Sequence, residues 1–534
     1  MHRSRRPRAG RPRTGPAAAA CALALATLAT APAAVPSPAP KATGPADPLA
    51  RFHEQRPRWG PCPERRASAE MRCAALTVPL DHADPAKGTT RVVLARIPAT
   101  GPAHRRLGPL LLNFGGPGGS GVAALAAGAA DFAKLGERYD LIGFDPRGVG
   151  HSDGISCGDG HDPADGVPAD GDAAEGATAP DADAQLAALR AHAARCARHS
   201  GPVLPYVGTV NVARDMDVVR RVLGGRKLAY LGFSYGTRLG AVYAALFPRD
   251  TGRMVLDGVD TLSEPLVEQA LVSARGQQRA LDNFLVWCAH RPGCVYGTNT
   301  RTAKEEVDAL VERLDRAPLI GQDGSHFTGA DATAAIAAAL YSRARWPALA
   351  DALAAAEHRG DPVGLLQLGG PAEPPPEDDD GPSPVPADNG AAALTAVNCA
   401  DDPDRSGDKA TPQALEKELL ALRPAFLEAS RIFGPYQLGS VLACHGRPAG
   451  TDFIRRIDHP GAPRMLLVGT RGDPATPYEW TEETARRLGS AVIIDNKGEG
   501  HTGYGQTRCV TGYVNDFLLD GRLPSGTRSC PAED

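Results

Sequence analysis

The segment KLAYLGFSYGTRLGAVYAALFP, Lys227 to Pro248, joins a short apolar run to a helical pattern through two glycines and a serine. The apolar run predicts a buried strand, and the three-to-four residue spacing of the later apolar residues predicts a helix. Gly232 and Gly236 flank Ser234 at two residues on either side, where a strand that turns directly into a helix leaves no room for a Cβ atom. We therefore predict a strand, a sharp turn at Ser234 and a helix, which is the G-x-S-x-G nucleophile elbow.

Ser234 is the candidate nucleophile, because an elbow lifts the serine hydroxyl above the sheet edge and aims the next backbone N–H at the reacting carbonyl. A five-residue pattern with three fixed positions also arises by chance in a chain that contains 60 glycines. The position of this pattern between a strand and an amphipathic helix favours the catalytic interpretation over chance.

Two candidate partners of Ser234 follow strands predicted later in the chain. The buried strand PRMLLV precedes the loop that holds Asp473, and the last predicted strand precedes the loop that holds His501. The order serine, aspartate, histidine is that of the α/β-hydrolases. We predict that His501 takes the proton of Ser234 and that Asp473 orients the imidazole and stabilises its charged form. Asp257, at the end of an earlier predicted strand, is an alternative acid.

The loop NFGGPGGSG, Asn113 to Gly121, follows a predicted buried strand and leads into a helical pattern. In a hydrolase this loop supplies one of the two backbone N–H groups that bind the developing oxyanion. We predict that these donors are a backbone N–H near Gly116 and the N–H of Tyr235.

The same loop allows a second interpretation. Residues 116–121 match G-x-G-x-x-G, and Asp140 lies at about the distance expected for a ribose-binding acid. A dinucleotide site is thus an alternative, although the serine elbow and the export signal described below argue against it. We expect no cofactor and no metal.

The first residues predict export. Residues 1–33 contain six arginines, then an apolar run and an Ala-x-Ala cleavage site, which is the pattern of a secretory signal peptide. The apolar run is too short to span a bilayer. Residues 34–60 form a proline-rich leader. We predict a secreted, extracellular protein, either free or associated with the cell wall, with no stable membrane span.

The cysteines agree with export. Ten follow the signal peptide, and the simplest pairing joins neighbours along the chain into five disulfides. No pair has the spacing of zinc ligands. The predicted pairs are Cys62 with Cys73, Cys157 with Cys196, Cys288 with Cys294, Cys399 with Cys444, and Cys509 with Cys530.

Composition excludes some partners. The chain has 534 residues and a formal net charge of −4, and no basic patch interleaved with aromatic residues follows the signal peptide. Nucleic acid is therefore not an expected partner. Residues 158–183 and 369–390 are rich in Asp, Gly, Pro and Ala, which predicts solvated surface insertions without chemistry of their own.

The order of the predicted elements gives an α/β fold. We predict an α/β-hydrolase fold, with a mostly parallel central sheet, helices on both faces and an inserted, mainly helical cap. Residues 61–260 form the first part of the core, residues 261–405 the cap, and residues 406–534 the C-terminal part of the core. A cap of this size restricts access to the site and shapes the substrate pocket.

The chain resembles the secreted bacterial tripeptidyl aminopeptidases and related α/β-hydrolases with a TAP-like C-terminal region. The resemblance spans most of the mature chain and rests on several motifs together. They are NFGGPGGSG, FDPRGVGHSD from Phe144, the elbow segment, VNCADDP from Val397, GTRGDPATPYE around Asp473, and GHTGY around His501.

The resemblance implies an aminopeptidase that removes short peptides, often tripeptides, from free N-termini through an acyl-enzyme on Ser234. Proline iminopeptidases share the Gly-Gly-Pro-Gly loop, so release of single residues is an alternative. A carboxylesterase is another, because the same triad cleaves esters. A binding module without activity is a further hypothesis, and the intact triad argues against it.

An aminopeptidase must bind the α-ammonium group of its substrate, and acidic residues in the cap near the elbow would provide this contact. Asp401 and Asp402 are the candidates, although a capping or turn role beside Cys399 is nearly as well supported. Glu264, which follows the sixth core strand, is a third candidate.

Overall fold

Short apolar runs alternate with helical patterns through much of the chain, and these runs form the strands of one large sheet. The computed structural model describes residues 47–158, 182–320, 326–370, 385–404, 411–454, 457 and 461–533. The predicted signal peptide, half of the leader and most of the two predicted surface insertions lie outside these residues. From Pro48 onward the described residues form one compact unit.

The central sheet has nine strands in the order β1-β2-β4-β3-β5-β6-β9-β10-β11. Strand β2 runs antiparallel to both β1 and β4, and all other neighbours are parallel. The strands are β1 Arg72–Pro79, β2 Thr89–Ile97, β3 Gly108–Asn113, β4 Tyr139–Asp145, β5 Leu228–Phe233, β6 Thr251–Asp257, β9 Met465–Gly472, β10 Ala491–Glu499 and β11 Arg528–Cys530. The short strands β7 Leu319–Ile320 and β8 His326–Phe327 form a separate hairpin.

Helices cover both faces of the sheet, because the parallel strands are apolar on both sides. Helices α5, α6 and α15 pack in the hydrophobic core of one face, and α2, α3 and α16 pack in that of the other. The helices of the core are α1 Ala50–His53, α2 Gly121–Gly128, α3 Ala133–Gly136, α4 Ala182–Ser200, α5 Thr209–Val222, α6 Tyr235–Leu246, α15 Tyr478–Leu488 and α16 Arg508–Asp520. The α/β-hydrolase arrangement predicted from the sequence is confirmed.

A run of helices separates β6 from β9, where we predicted the cap. These helices are α7 Leu266–Ala289, α8 Thr300–Arg316, α9 Gly329–Leu340, α10 Trp346–Arg359, α11 Val363–Gly369, α12 Asn389–Asp401, α13 Pro412–Ala429 and α14 Phe433–Leu442. Most of them share a hydrophobic core of their own, around Phe284 and Trp346. The run continues beyond residue 405, where the sequence analysis ended it, because α13 and α14 also precede β9.

Five disulfides tie loops and helices together, and they join the five pairs that the order of the cysteines predicts. The bond from Cys399 to Cys444 joins the end of α12 to the residues after α14. Within the described residues no helix is both long enough and apolar enough to cross a membrane.

Candidate active site

Ser234 lies between β5 and α6, at the turn that the elbow pattern predicts. Its backbone has φ 53° and ψ −126°, a left-handed conformation that is strained for a residue with a side chain. The N–H of Ser234 donates to the carbonyl of Asp257 on the neighbouring strand, at 2.9 Å. The turn is thus held by β6, and the hydroxyl is presented at the carboxyl edge of the sheet, where the cavity described below opens.

The two flanking glycines are required by close backbone contacts. A Cβ on Gly232 would lie 2.5 Å from the carbonyl oxygen of Gly236, and a Cβ on Gly236 would lie 2.6 Å from the side-chain oxygen of Asn113. Helix α6 therefore starts directly against strands β5 and β3. This geometry explains why the elbow carries glycine at both positions.

Asp473 and His501 follow β9 and β10 and meet at the carboxyl edge of the sheet, where a Cβ on Gly258 would lie 3.3 Å from the His501 ring. The Nδ1 nitrogen of His501 lies 2.9 Å from both carboxylate oxygens of Asp473. Burial lowers the pKa of His501, but the charge of Asp473 and its hydrogen bond outweigh this effect and raise the pKa above its ordinary value. Asp473 therefore stabilises the imidazolium form, as the acid of a catalytic triad must.

Asp473 is fixed by its own loop. It is almost fully buried, and one carboxylate oxygen accepts the N–H groups of Ala475 and Thr476 at 2.9 and 2.8 Å. The hydroxyl of Thr476 donates to the other oxygen at 2.9 Å and lies 3.4 Å from Nδ1 of His501. These contacts hold the carboxylate in the orientation that the histidine needs.

Asp257, the alternative acid, has a different environment. Its buried carboxylate accepts the N–H groups of Gly503 and Tyr504 at 2.9 and 2.7 Å, so it supports the loop that follows His501. Burial raises the pKa of Asp257 to about 7, although these two N–H donors oppose the rise. The structure thus brings Asp473 to the imidazole and Asp257 to the backbone beyond it.

The glycine loop after β3 lies directly against Ser234. A Cβ on Gly115 would lie 2.8 Å from the Cβ of Ser234, and Gly116 lines the same cavity as the serine. Gly116 has φ 108°, so glycine is favoured there. Together with the N-terminus of α6 at Tyr235, the loop borders the space in front of the serine hydroxyl.

The dinucleotide interpretation of this loop is not supported. Asp140 lies at the start of β4, whereas a ribose-binding acid would lie at a carboxyl end. Its carboxylate pairs with Arg96 at 2.6 Å and accepts the N–H of Ala99 at 2.8 Å. Cap helix α12 closes the loop, because a Cβ on Gly118 would lie 2.6 Å from the carbonyl of Gly390.

A cavity of about 660 Å³ opens in front of Ser234. Its floor comes from the elbow, the glycine loop and residues 474–476, and its walls come from cap helices α7, α9, α11, α12 and α14. Tyr341, Leu394 and Tyr436 line it and remain 41–47% exposed, which makes its mouth apolar. The volume suits a ligand the size of a short peptide.

The cap also contacts the histidine loop. The backbone carbonyl of Tyr341, at the end of α9, accepts the N–H of His501 at 2.8 Å. The two rings meet edge to face, with centroids 5.1 Å apart. The cap is therefore part of the structure that holds the imidazole.

Comparison with known proteins agrees with this geometry. The α/β hydrolase fold family matches residues 108–353, and the TAP-like protein family matches residues 430–530. The serine protease Hip1 of Mycobacterium tuberculosis is 33% identical over 501 residues, which cover 88% of this chain and 90% of Hip1. The chain belongs to the TAP-like family of α/β-hydrolases.

Two further relatives of the chain are named for different activities. The tripeptidyl aminopeptidase of Streptomyces lividans is 32% identical over 472 residues, covering 86% of this chain and 83% of that protein. Carboxylesterase B of Mycobacterium tuberculosis is 33% identical over 497 residues, covering 88% and 89%. The TAP-like hydrolase is an enzyme of the serine hydrolase class, as the sequence analysis predicts.

The acids that we predicted for the substrate amine do not line the cavity of the TAP-like hydrolase. Asp401 accepts the N–H of Thr209 at 2.8 Å and pairs with Arg238 at 3.6 Å. Asp402 accepts the N–H of Leu266, at the start of helix α7, and the N–H of Asp404, both at 3.2 Å.

Glu264, the third candidate, is also used elsewhere. Its carboxylate pairs with Arg487 on α15 at 2.5 Å and accepts the N–H groups of Leu262 and Ser263 at 3.1 Å. It therefore stabilises the turn that leads into the cap. The structure brings none of the three acids to the front of Ser234.

The sequence analysis missed Asp260, an acid of this TAP-like hydrolase that does line the cavity. It follows Asp257 by three residues, in the loop that leaves the carboxyl end of β6 next to the elbow. This position was the available signal, because binding residues concentrate at the carboxyl ends of the strands in α/β folds. The prediction favoured the cap instead.

Proposed function

We propose that this protein is a secreted exopeptidase that removes short peptides, tripeptides above all, from the free N-termini of peptides. The observation that carries the proposal is the pairing of His501 with Asp473 at 2.9 Å on the loops after β9 and β10, together with a cavity in front of the elbow serine whose walls are cap helices. The tripeptidyl aminopeptidase of Streptomyces lividans, at 32% identity, supports the peptide as the substrate class.

The proposed reaction is acyl transfer through the serine. His501 accepts the proton of Ser234 as its oxygen attacks the scissile carbonyl, and Asp473 stabilises the imidazolium. The N–H groups of Gly116 and Tyr235 bind the oxyanion. The imidazolium then protonates the leaving amine, and water, activated by the same histidine, releases the N-terminal peptide from the acyl-enzyme.

Export is part of the proposal. The arginine-rich, apolar segment of residues 1–33 supports secretion, and so do five disulfides, since disulfides persist in oxidising compartments. The apolar mouth of the cavity supports peptides with apolar side chains.

The test uses chromogenic amides of one, two and three residues, each with a free and an acetylated N-terminus. We expect the mature enzyme to cleave the free tripeptide amide best. Ser234→Ala should abolish this cleavage, whereas Ser273→Ala, which changes another serine of the cavity wall, should retain it. Best cleavage of a single-residue amide would instead favour a proline-type aminopeptidase.

A carboxylesterase is the second candidate, because carboxylesterase B is as similar to this chain as the peptidases are. Cleavage of short acyl esters without cleavage of any amide would replace the peptidase proposal with this one. Loss of ester cleavage in Ser234→Ala would still identify the nucleophile.

A further inference from the structure

The wall of the cavity near the nucleophile carries a carboxylate. Asp260 is the one acidic side chain among the described residues that line the cavity, and it is 13% exposed. Its backbone N–H donates to the hydroxyl of Thr237 at 2.8 Å, and that hydroxyl donates to the carbonyl of Ser234 at 2.6 Å. Asp260 is thus anchored to the first turn of α6, beside the elbow.

Asp260 is only partly neutralised by its neighbours. It pairs with the guanidinium of Arg238 at 3.0 Å, and the same guanidinium lies 3.6 Å from the carboxylate of Asp401. Two buried carboxylates therefore share one positive charge, and the cluster carries a net charge of −1 when both are ionised. Asp401 is 5% exposed and does not line the cavity, so the excess charge can meet a ligand only at Asp260.

The remaining donors near Asp260 are occupied within the protein. Arg238 also donates to the carbonyl of Thr261 at 2.9 Å and to the side chain of Gln269 at 3.0 Å. Arg345 is the other cationic residue of the cavity lining, and its two terminal nitrogens donate to carbonyls of α9 and α11 at 3.0 and 2.8 Å. Asp260 therefore faces the cavity with Arg238, which it shares with Asp401, as its cation, and its other carboxylate oxygen accepts the N–H of Thr261 at 2.8 Å.

A largely buried carboxylate that shares its only arginine with a second carboxylate favours a cationic ligand. Burial raises the pKa of Asp260, against the opposing charge of Arg238. An ammonium group in contact with the carboxylate would offset this cost of burial and form a charge-assisted hydrogen bond. A peptide N-terminus is the cation that the proposed reaction brings into this cavity.

We propose that Asp260 binds the α-ammonium group of the peptide substrate. This inference rests on the proposed function and identifies the residue that restricts the enzyme to free N-termini. An acetylated N-terminus lacks the charge and adds bulk at Asp260, and an internal segment of a chain brings an uncharged amide there. Both leave the excess negative charge of the Asp260–Arg238–Asp401 cluster without a counter-charge when the substrate excludes water from the cavity.

The test compares Asp260→Asn with the native enzyme on free and acetylated tripeptide p-nitroanilides and on p-nitrophenyl acetate. We expect kcat/KM for the free tripeptide to fall by about 10- to 100-fold, mainly through KM, since one charge-assisted hydrogen bond is lost. Cleavage of the acetylated tripeptide and of the ester should change little, so the preference for a free N-terminus should disappear.

Asp401→Asn is the matched control, because it removes the other carboxylate that contacts Arg238 without changing the cavity lining. It should keep the preference for the free N-terminus. Retention of that preference in Asp260→Asn, or an equal loss in Asp401→Asn, would overturn the inference while the aminopeptidase proposal stands.

A native enzyme that cleaves free and acetylated tripeptides equally well would overturn both proposals. If Asp260→Asn also loses ester cleavage, the comparison moves to Asp260→Glu, which keeps the negative charge. Asp260→Glu should then combine ester cleavage with a preference for the free N-terminus, and ester cleavage without that preference contradicts the inference.

Discussion

Two buried aspartates, Asp257 and Asp473, lie at the carboxyl ends of the neighbouring strands β6 and β9. They contact different parts of the loop that carries His501. Asp473 contacts the imidazole, and Asp257 accepts two backbone N–H groups of the loop behind it. The two carboxylates differ in their partners, which are the imidazole ring for Asp473 and backbone N–H groups for Asp257. In the proposed mechanism, Asp473 stabilises the charge that forms on the imidazole, and Asp257 fixes the position of the loop that carries it.

The raised pKa of His501 predicts the acidic limb of the pH profile. The imidazole must be neutral to accept the proton of Ser234, so kcat/KM falls as the pH drops through its pKa. Since Asp473 raises this pKa, the limb should have its midpoint above 6.5, the ordinary value for histidine. An uncharged ester substrate, which does not titrate in this range, gives the measurement.

In the same experiment, Asp473→Asn should lower both the rate and the midpoint, because the charge that favours the imidazolium is removed. Glu264→Gln, at an acid away from the cavity, should leave the midpoint unchanged. A native midpoint at or below 6.5 would contradict the expectation.

Asp257→Asn should reduce kcat by up to about 100-fold while KM changes little. The asparagine oxygen can replace only part of the carboxylate that binds the Gly503 and Tyr504 N–H groups, so the histidine loop shifts. Amide and ester substrates should be affected alike. Asp495→Asn, on β10, where the aspartate pairs with the half-exposed Arg471, is the control and should retain full activity.

At the scale of helices and strands, glycines allow helix backbones to pack in direct contact with the sheet. Helix α2 begins at Gly121, whose Cβ would lie 2.2 Å from the carbonyl oxygen of Phe144 on β4. Ser120 caps this helix through the N–H of Ala123 and donates to Asp145 at 2.7 Å. The glycine loop in front of Ser234 is therefore anchored by the start of α2.

Gly121→Ala should lower the free energy of unfolding by about 1–3 kcal/mol, because the added methyl overlaps a strand backbone that cannot move freely. Gly512→Ala is the control. It lies at an exposed position of α16, where a Cβ meets nothing within 4 Å, and should raise stability by about 0.4–1 kcal/mol. Denaturant unfolding of both variants tests the difference. Equal effects would contradict the packing argument.

The sequence predicted the core strands up to β10 and a mainly helical cap, because their apolar residues recur at clear spacings, but it did not predict the short strand β11. It did not predict α4 or α16, although Thr507, whose side chain accepts the N–H of Val510, is an N-cap signal for α16. Helix α13 contains Pro424, which a local interpretation takes for a break. The elbow could be predicted from local sterics. The position of Asp260 after β6 was a sequence signal, but the role proposed for it also depends on a cavity that the cap helices complete.

At the scale of the whole molecule, the disulfides differ in how much chain they enclose. The Cys399–Cys444 bond spans 45 residues and ties together two parts of the helical run, whereas the Cys288–Cys294 bond spans six. A longer closed loop restricts the unfolded chain more strongly.

Replacement of Cys399 and Cys444 by alanine should therefore cost about 2 kcal/mol more stability than replacement of Cys288 and Cys294, from the logarithmic dependence on loop length. Guanidinium unfolding of the two double variants under oxidising conditions measures this. A larger loss from the short loop would show that native-state packing, and not loop length, dominates.

The carbonyl of Tyr341 that accepts the N–H of His501 belongs to the cap, whereas the histidine belongs to the core. A chain whose sheet has formed before its cap lacks this contact, and its general base is less well held. One hydrogen bond therefore couples the position of the cap to the support of the imidazole.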